Sequence, residues 1–257
     1  MFWSPVTGQS GTTSNLLVIA MMMAFVKKSK VLVINLQPAN YSMERALLST
    51  RYMEQMEGIG IDMLIRSLII NELNEETIKN ASLNFFGEQL HIVPGTTKDL
   101  LTFRRDILNL FPAILKKVDK LYDFVFVDAP SGFNDELQML LYESDRMVIN
   151  LPQYKPVIDD YFNGQPITEN KSLYLIGKYD RNSRYNLKNL GRSIPYMKNK
   201  ITAIPHNIGY LDSLSDAEVI KFLQKNYIEP MGENEIFLKE VEKAVNLIYK
   251  NRKEVIT

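Results

Sequence analysis

The sequence contains no cysteine and only two histidines, His91 and His206, among its 257 residues. The absence of cysteine excludes thiol catalysis, disulfide bonds and cysteine-based zinc sites, and it fits a reducing compartment. Two histidines argue against a multi-histidine metal centre. Neither sign of charge is in excess, because 30 basic and 30 acidic residues give a formal net charge of zero. The overall charge therefore predicts neither a nucleic acid nor an acidic partner.

Long hydrophobic stretches are also lacking. An unbroken apolar run covers Leu16 to Val26, and its 11 residues are too few to cross a bilayer. No basic segment precedes the run, which makes it a poor signal peptide. We therefore expect this segment to form a buried helix packed on a sheet, in a protein of the cytoplasm.

Short β-branched or aromatic segments alternate along the chain with longer segments of helical periodicity. The short segments are mostly apolar throughout, as expected for strands that are buried on both faces of a parallel sheet. They cover residues 31–34, 90–93, 124–127, 147–149, 173–176 and 201–204. This alternation predicts an α/β protein with a mostly parallel, doubly wound sheet and helices on both faces.

No internal repeat or long linker divides the sequence, so we expect residues 1–257 to form a single domain. Helical spacing is present over 100–121 and again in a C-terminal amphipathic segment, about 233–253. The apolar stripe of the C-terminal segment comprises Ile236, Phe237, Val241, Ala244, Val245 and Ile248. Docking of this stripe on the core is the favoured interpretation, and a membrane-surface helix is the alternative.

The first fifteen residues have the outline of a phosphate-binding loop without its lysine. A short apolar start, a glycine-punctuated loop and paired hydroxyl residues lead into the apolar helix, a frame in which backbone N–H groups hold an anion. The usual helix entry is Gly-Lys-Ser/Thr, whereas this chain has Gly11-Thr12-Thr13. The candidate nucleotide-binding residues of the loop are Gly8, Gln9, Ser10, Gly11, Thr12, Thr13 and Ser14.

Five further segments follow this loop in a definite order, at 33–40, 90–95, 122–132, 175–181 and 204–207. Together with the loop they resemble the MinD/ParA family of P-loop ATPases over nearly the whole chain. The TadZ/CpaE branch, which helps to position pilus machinery, is the most similar. The resemblance implies a P-loop NTPase fold, a bound ATP or ADP with Mg²⁺, and a homodimer.

The resemblance also implies roles for individual residues of the loop. Thr7 and Thr12 stand where the family has two lysines, of which the first reaches across a dimer to the partner's nucleotide. Thr13 keeps the hydroxyl that binds Mg²⁺ in relatives, and Asp128 matches the acid that holds the Mg²⁺ water shell. Because both lysines are replaced, we expect nucleotide binding to be weak.

Two other family motifs are altered in this chain. Asn35 and Gln37 replace the acids of an Asp-x-Asp motif, so Gln37 stands in place of the acid that orients water and the catalytic residue stays unassigned. An amide orients water by hydrogen bonding but is no carboxylate base. Lys178 and Pro205 fall where relatives approach the adenine base, and Gly177 replaces an asparagine there.

The resemblance implies a positioning or assembly factor for a pilus, secretion, conjugation or partition apparatus, with weak or absent ATP hydrolysis. An active, slow ATPase of the partition type is the main alternative. Basic clusters at Arg104-Arg105, Lys116-Lys117 and 181–192 leave nucleic-acid contact open, although solvated loops are favoured. Peripheral contact at the inner face of the membrane is likewise an open alternative to a purely cytoplasmic location.

Overall fold

The structure is a computed structural model that describes residues 1–37, 42–49, 52, 58–96, 98, 108–132, 135–164 and 170–252. Within these ranges one sheet of eight strands has the order β3-β4-β2-β5-β1-β6-β7-β8. Every neighbouring pair is parallel except β3 with β4. The strands are β1 (Phe2–Trp3), β2 (Val31–Asn35), β3 (Leu83–Phe85), β4 (Leu90–Val93), β5 (Phe124–Asp128), β6 (Met147–Pro152), β7 (Ser172–Tyr179) and β8 (Ile201–Pro205).

Helices cover both faces of this sheet, and the core is accordingly split into two hydrophobic clusters. Along β2, Leu32 and Ile34 belong to one cluster while Val31 and Val33 belong to the other, because successive side chains point to opposite faces. The predicted doubly wound α/β architecture is thereby confirmed. The helices are α1 (Thr12–Phe25), α2 (Ser42–Arg45), α3 (Ile61–Ile69), α4 (Glu75–Asn80), α5 (Phe111–Val118), α6 (Asp135–Glu143), α7 (Lys155–Asn163), α8 (Leu187–Ser193), α9 (Ile208–Ser215), α10 (Val219–Ile228) and α11 (Gly232–Lys250).

The apolar run that follows the loop forms most of α1. Residues 15–24 of this helix are buried, and they contact both the sheet and α11. A helix that is apolar on all sides is stable only inside the core, which explains why α1 lacks a polar stripe. Among the described residues, no helix is both long and apolar enough to cross a membrane.

One element, the edge strand β3, was absent from the sequence-based expectations, because its three residues are too few to show a clear alternation. It pairs antiparallel with β4 and ends the sheet on that side. The helical spacing over 100–121 includes α5, and residues 99–107 of that stretch lie outside the described ranges.

The C-terminal helix α11 packs on β8 and α1. Ile236 was expected in its buried stripe but is 45% exposed. Leu238 takes a buried place instead, because the buried side chains begin one residue further along the helix, at Phe237. The buried set is Phe237, Leu238, Val241, Ala244, Val245 and Ile248. This stripe is docked on the core, and residue 253 lies outside the described ranges.

The strand β1 is short but central. Phe2 pairs with Asp128 on β5 and with Val148 on β6, so the chain leaves β1 in the middle of the sheet. In open parallel sheets, ligands bind outside the carboxyl ends of the strands near the point where the strand order reverses. The loop that joins β1 to α1 starts at this position.

His91 is a fully buried residue of β4, far in sequence from the loop. Its Nδ1 lies 3.2 Å from the Tyr122 hydroxyl, and its Nε2 has no partner among the described residues. Burial lowers the pKa of His91, because the imidazolium form would lose its hydration.

We therefore expect His91 to reduce stability as the pH falls below about 6.5, the pKa of an unperturbed histidine. In that range the unfolded chain takes up a proton that the buried imidazole resists. His91→Asn removes the titration while keeping a partner for Tyr122. From pH 8 to pH 5.5 the melting temperature of the wild type should fall more than that of the variant, since the two proteins share all their other titrating groups. Equal falls would contradict this account.

Candidate functional site

The loop between β1 and α1 turns on two glycines. Gly8 has a φ of 73° and Gly11 a φ of 67°, in the left-handed region that glycine adopts without strain. Gly11 occupies the N-cap position of α1, and no side chain caps the helix there. The first turn of α1 therefore presents its backbone towards the loop.

The loop carries a run of unused backbone donors. Within the described residues, the N–H groups from Gly8 to Ser14 donate to no protein acceptor. Such groups at a helix N-terminus carry a partial positive charge and bind anions, phosphate above all. The predicted loop residues thus lie together in one anion-binding frame.

Hydroxyl groups brace the interior of the loop. The Ser10 hydroxyl donates to Ser4 Oγ at 2.9 Å, and Thr12 Oγ1 lies 3.1 Å from Ser10 Oγ. Thr12, which stands at the family's lysine position, therefore turns towards Ser10. The loop keeps its shape through neutral side chains, and Thr12 brings no charge to it.

Three buried side chains that the sequence analysis did not single out support the loop on its interior side: Asn15, Asn150 and Tyr210. Asn15 Nδ2 donates to the Ser10 carbonyl at 3.0 Å and to Asn150 Oδ1, on β6, at 3.1 Å. The Tyr210 hydroxyl of α9 donates to the Ser14 carbonyl at 2.7 Å. Because these contacts use carbonyl groups, they leave the N–H groups of the loop free for a ligand.

Gly177, at the end of β7, lies directly against the loop. A Cβ atom built at this position would come within 1.8 Å of the Ser10 carbonyl oxygen, well inside contact distance. The asparagine that the family has here cannot fit while the loop keeps this position. The glycine is therefore required by close packing of the loop on β7.

Lys178 and Pro205 stand on neighbouring strand ends. Tyr179 pairs with Pro205 across β7 and β8, so both predicted residues lie at the same edge of the sheet as the loop. Lys178 is exposed and has a φ of 50°. Among the described residues, neither Lys178 nor Pro205 makes a hydrogen bond to the loop.

Thr13 and Asp128 meet at the centre of the site. The Thr13 hydroxyl donates to Asp128 Oδ2 at 2.6 Å, while Oδ1 of the same buried carboxylate has no hydrogen-bond partner among the described residues. Burial raises the pKa of Asp128 to about 7, although the hydrogen bond from Thr13 and the nearby Gln37 amide lower it. A free carboxylate oxygen beside a hydroxyl fits a hydrated Mg²⁺ ion, so Thr13 and Asp128 would hold one.

The two amides of the altered acidic motif lie beside Asp128. Asn35 pairs with Asp128 in the register of β2 and β5, and Gln37 Nε2 donates to the Ala129 carbonyl at 2.8 Å. Asn35 Nδ2 also donates to Glu44, a buried carboxylate that the sequence analysis did not identify. No periodic signal distinguishes Glu44, because α2 is only four residues long.

A short segment after Asp128 is tied back to β1. The Gly132 N–H donates to the Ser4 carbonyl at 3.0 Å, and Trp3 Nε1 donates to the Gly132 carbonyl at 2.9 Å. The N–H and the carbonyl group of Gly132 are thereby both bonded to residues at or directly after the end of β1. The loop and the segment 128–132 form one hydrogen-bonded unit.

Two of the three basic clusters, Lys116-Lys117 and 181–192, lie within the described residues. Lys116 and Lys117 are exposed on α5. Arg181 follows β7 in an exposed turn. The pair Arg104-Arg105 lies outside the described residues.

Comparisons with known proteins agree with this geometry. A model of the AAA domain family (AAA_31) matches residues 6–156, which is more than half of the chain. The ParA family ATPase from Chlorobium tepidum TLS superposes with a TM-score of 0.72 at 12% identity, covering 95% of this chain and 97% of its own. No curated protein matches the sequence.

Two solved structures that resemble the chain contain nucleotides. The septum site-determining protein MinD from Pyrococcus horikoshii OT3, complexed with Mg-ADP, gives a TM-score of 0.62 at 15% identity and covers 98% of both chains. A putative plasmid partition protein from Borrelia burgdorferi B31, bound to AMPPNP, gives 0.67 at 17% identity, covering 97% of this chain and 98% of its own. At these identities the likeness establishes the fold.

Asp128→Asn should raise the melting temperature at pH 8. The wild-type carboxylate is charged above a pKa of about 7 and buried, so ionisation opposes folding as the pH rises, whereas the amide stays neutral and still accepts from Thr13. The gap between the two proteins should narrow at pH 5. A variant that melts below the wild type at pH 8, measured without divalent cations, would contradict this.

Gly177→Ala should destabilise the protein by about 1–3 kcal/mol, the usual cost of overpacking, because the added methyl group meets the Ser10 carbonyl. Gly191→Ala is the matched control, since a Cβ atom there has nothing within 4 Å. Urea unfolding of both variants measures the difference. Similar stability of the two would show that the loop is not packed on β7.

Proposed function

The chain belongs to the AAA domain family, and on that premise we propose that it is a nucleotide-binding protein of the MinD/ParA type that acts as a positioning or assembly factor. Its ligand is ATP or ADP with Mg²⁺, bound weakly. Hydrolysis of ATP is slow or absent. Within this type we assign the chain to the TadZ/CpaE branch on its motifs.

One observation carries this proposal. The unused N–H groups from Gly8 to Ser14 lie next to the Thr13–Asp128 contact, so phosphate donors and a cation site share one edge of the sheet. A free phosphate site would need the donors alone. The adjacent buried carboxylate, with one oxygen unpaired, favours a phosphate that arrives with Mg²⁺.

The weakness of binding follows from charge. Each lysine–phosphate contact that is lost removes about 1.5–3 kcal/mol, the strength of a hydrogen bond to a charged group. Thr7 and Thr12 supply no charge in place of the two lysines. Lys178 is the predicted base-side cation, and it is exposed.

Slow ATP hydrolysis of the partition type is a second candidate, and the position of Gln37 favours it. The side chain is held beside Asp128 by its hydrogen bond to Ala129, at the place where relatives orient the attacking water. An amide can orient a water molecule without acting as its base. Hydrolysis would then be limited by the missing base and the missing lysines.

The expected partners follow from the relatives. One is a septum site-determining protein and another a putative plasmid partition protein, so a spatial-positioning role at a pilus, secretion, conjugation or partition apparatus is consistent with both. A homodimer is the expected assembly, in the cytoplasm. Contact with the inner face of the membrane would not use the apolar stripe of α11, which is packed on the core. Zero net charge gives no support to nucleic acid.

Thr12→Lys should tighten the binding of Mg²⁺·ATP by about 10- to 150-fold, because it restores one charged contact with the phosphates. Isothermal titration calorimetry of the wild type, Thr12→Lys and Thr13→Ala measures the effect. Ser215→Lys adds the same charge at an exposed position on α9 and serves as the control.

If neither the wild type nor Thr12→Lys shows heat of binding at millimolar ATP, the proposed nucleotide binding is wrong and only a scaffold role without nucleotide is left. Phosphate release measured on the same proteins separates the two candidates. Release by the wild type above the Thr13→Ala background identifies an active ATPase, and its absence identifies a binding protein.

A further inference from the structure

Glu44, on the short helix α2, is a fully buried carboxylate close to the candidate site. Its Oε1 accepts the Gly95 backbone N–H at 2.8 Å and Asn35 Nδ2 at 2.9 Å, and Asn35 Nδ2 also lies 3.2 Å from Oε2. Burial raises the pKa of Glu44, and these donors lower it. A buried carboxylate is costly unless such donors surround it, so Glu44 and its donors form one interdependent group.

The Asn35 amide joins Glu44 to the next residues of the site. Its NH₂ group donates to Glu44, and its Oδ1 accepts the Gln37 backbone N–H at 3.0 Å. An aspartate at position 35 could accept from Gln37 but could not donate to Glu44. Two carboxylates would then face each other in the core, which is strongly unfavourable. Asparagine at position 35 is therefore the partner that Glu44 requires.

The same chain of contacts continues to Asp128. The Leu36 N–H donates to the Asp128 carbonyl at 3.0 Å, and Gln37 Nε2 donates to the Ala129 carbonyl at 2.8 Å. The segment from Asn35 to Gln37 is thus fixed at one end by Glu44 and at the other by β5. The position of the Gln37 amide beside Asp128 depends on both attachments.

We propose that Glu44 is a positioning residue of the nucleotide site: it orients the Asn35 amide, which in turn holds Gln37 beside Asp128. At position 35, where the resemblance to the family implies an aspartate, this chain has an amide, and the acid that contacts this amide is Glu44 on α2. The effect on nucleotide rests on the proposed function, whereas the effect on Gln37 does not. Asn35 and Glu44 then depend on each other as donor and acceptor.

Three variants separate this role from simple core packing. In Glu44→Gln the remaining oxygen still accepts from Gly95 and Asn35, but the new NH₂ group replaces Oε2, 3.2 Å from the Asn35 NH₂ group. The Asn35 amide loses one of its two contacts with position 44, so it is oriented less firmly and holds the Gln37 N–H less firmly. In the double variant Asn35→Asp with Glu44→Gln, the donor and acceptor of the Oε2 contact are exchanged, so positions 35 and 44 keep one hydrogen bond to each other and Gly95 and Gln37 keep their acceptors. Glu233→Gln, at an exposed position of α11, is the control.

Amide hydrogen exchange of Gln37, measured by NMR in the nucleotide-free protein, is the primary readout. Glu44→Gln should speed the exchange by roughly 2- to 12-fold, the factor that one net hydrogen bond contributes. The double variant should restore the wild-type rate, and the control should not alter it. Calorimetry with Mg²⁺·ATP should show affinity falling in Glu44→Gln and recovering in the double variant.

Several results would overturn the proposal. A Gln37 exchange rate that is unchanged in Glu44→Gln, even if its melting temperature falls, would mean that Glu44 only fills the core. A double variant that is unfolded, or that keeps the fast exchange, would show that the amide and acid are not interchangeable. A wild type that binds no Mg²⁺·ATP defeats the proposed function instead, and the exchange rates still decide the role of Glu44.

Discussion

The hydrogen bond from Thr13 to Asp128 is the contact on which the site depends. It joins the first turn of α1 to the end of β5, and it does so around a carboxylate that is fully buried. Such a group is stable only where donors or a cation compensate for lost hydration. The central position of β1, the turn at Gly11 and the contact of Gln37 beside Asp128 all serve to complete that environment. On the proposed function, the carboxylate that would hold Mg²⁺ is also a group whose burial in the charged form opposes folding.

A phosphate loop without lysine has to obtain its affinity from neutral donors. In this chain two carbonyl groups of the loop region are bonded from outside the loop, because Asn15 donates to Ser10 and Tyr210 donates to Ser14, and Gly177 packs against the Ser10 carbonyl. The N–H side remains open. A loop that is ordered before the ligand arrives loses little conformational entropy on binding, which partly offsets the absent charge.

The sequence alone predicted the α/β architecture and the position of the loop next to Asp128. Apolar strands, the apolar run of α1 and the order of the motifs predicted a parallel sheet with the loop beside Asp128, because these features are local patterns. The contacts of Asn15, Tyr210 and Glu44 could not be predicted, since each depends on elements that are distant in sequence. Gly177 was noted as a lost asparagine, and only packing explains it. Ile236 was misplaced because a helical stripe is ambiguous by one residue at its end.

The contact between Trp3 and Gly132 has a practical side. Trp3 is the only tryptophan of the chain, and its indole N–H is bonded to the peptide that ends the segment 128–132. Indole emission depends on the polarity and hydrogen bonding around the ring. Any shift of this segment is therefore registered by a single chromophore at the site itself. The protein carries an intrinsic optical probe of its own central loop, with no label to attach and no second tryptophan.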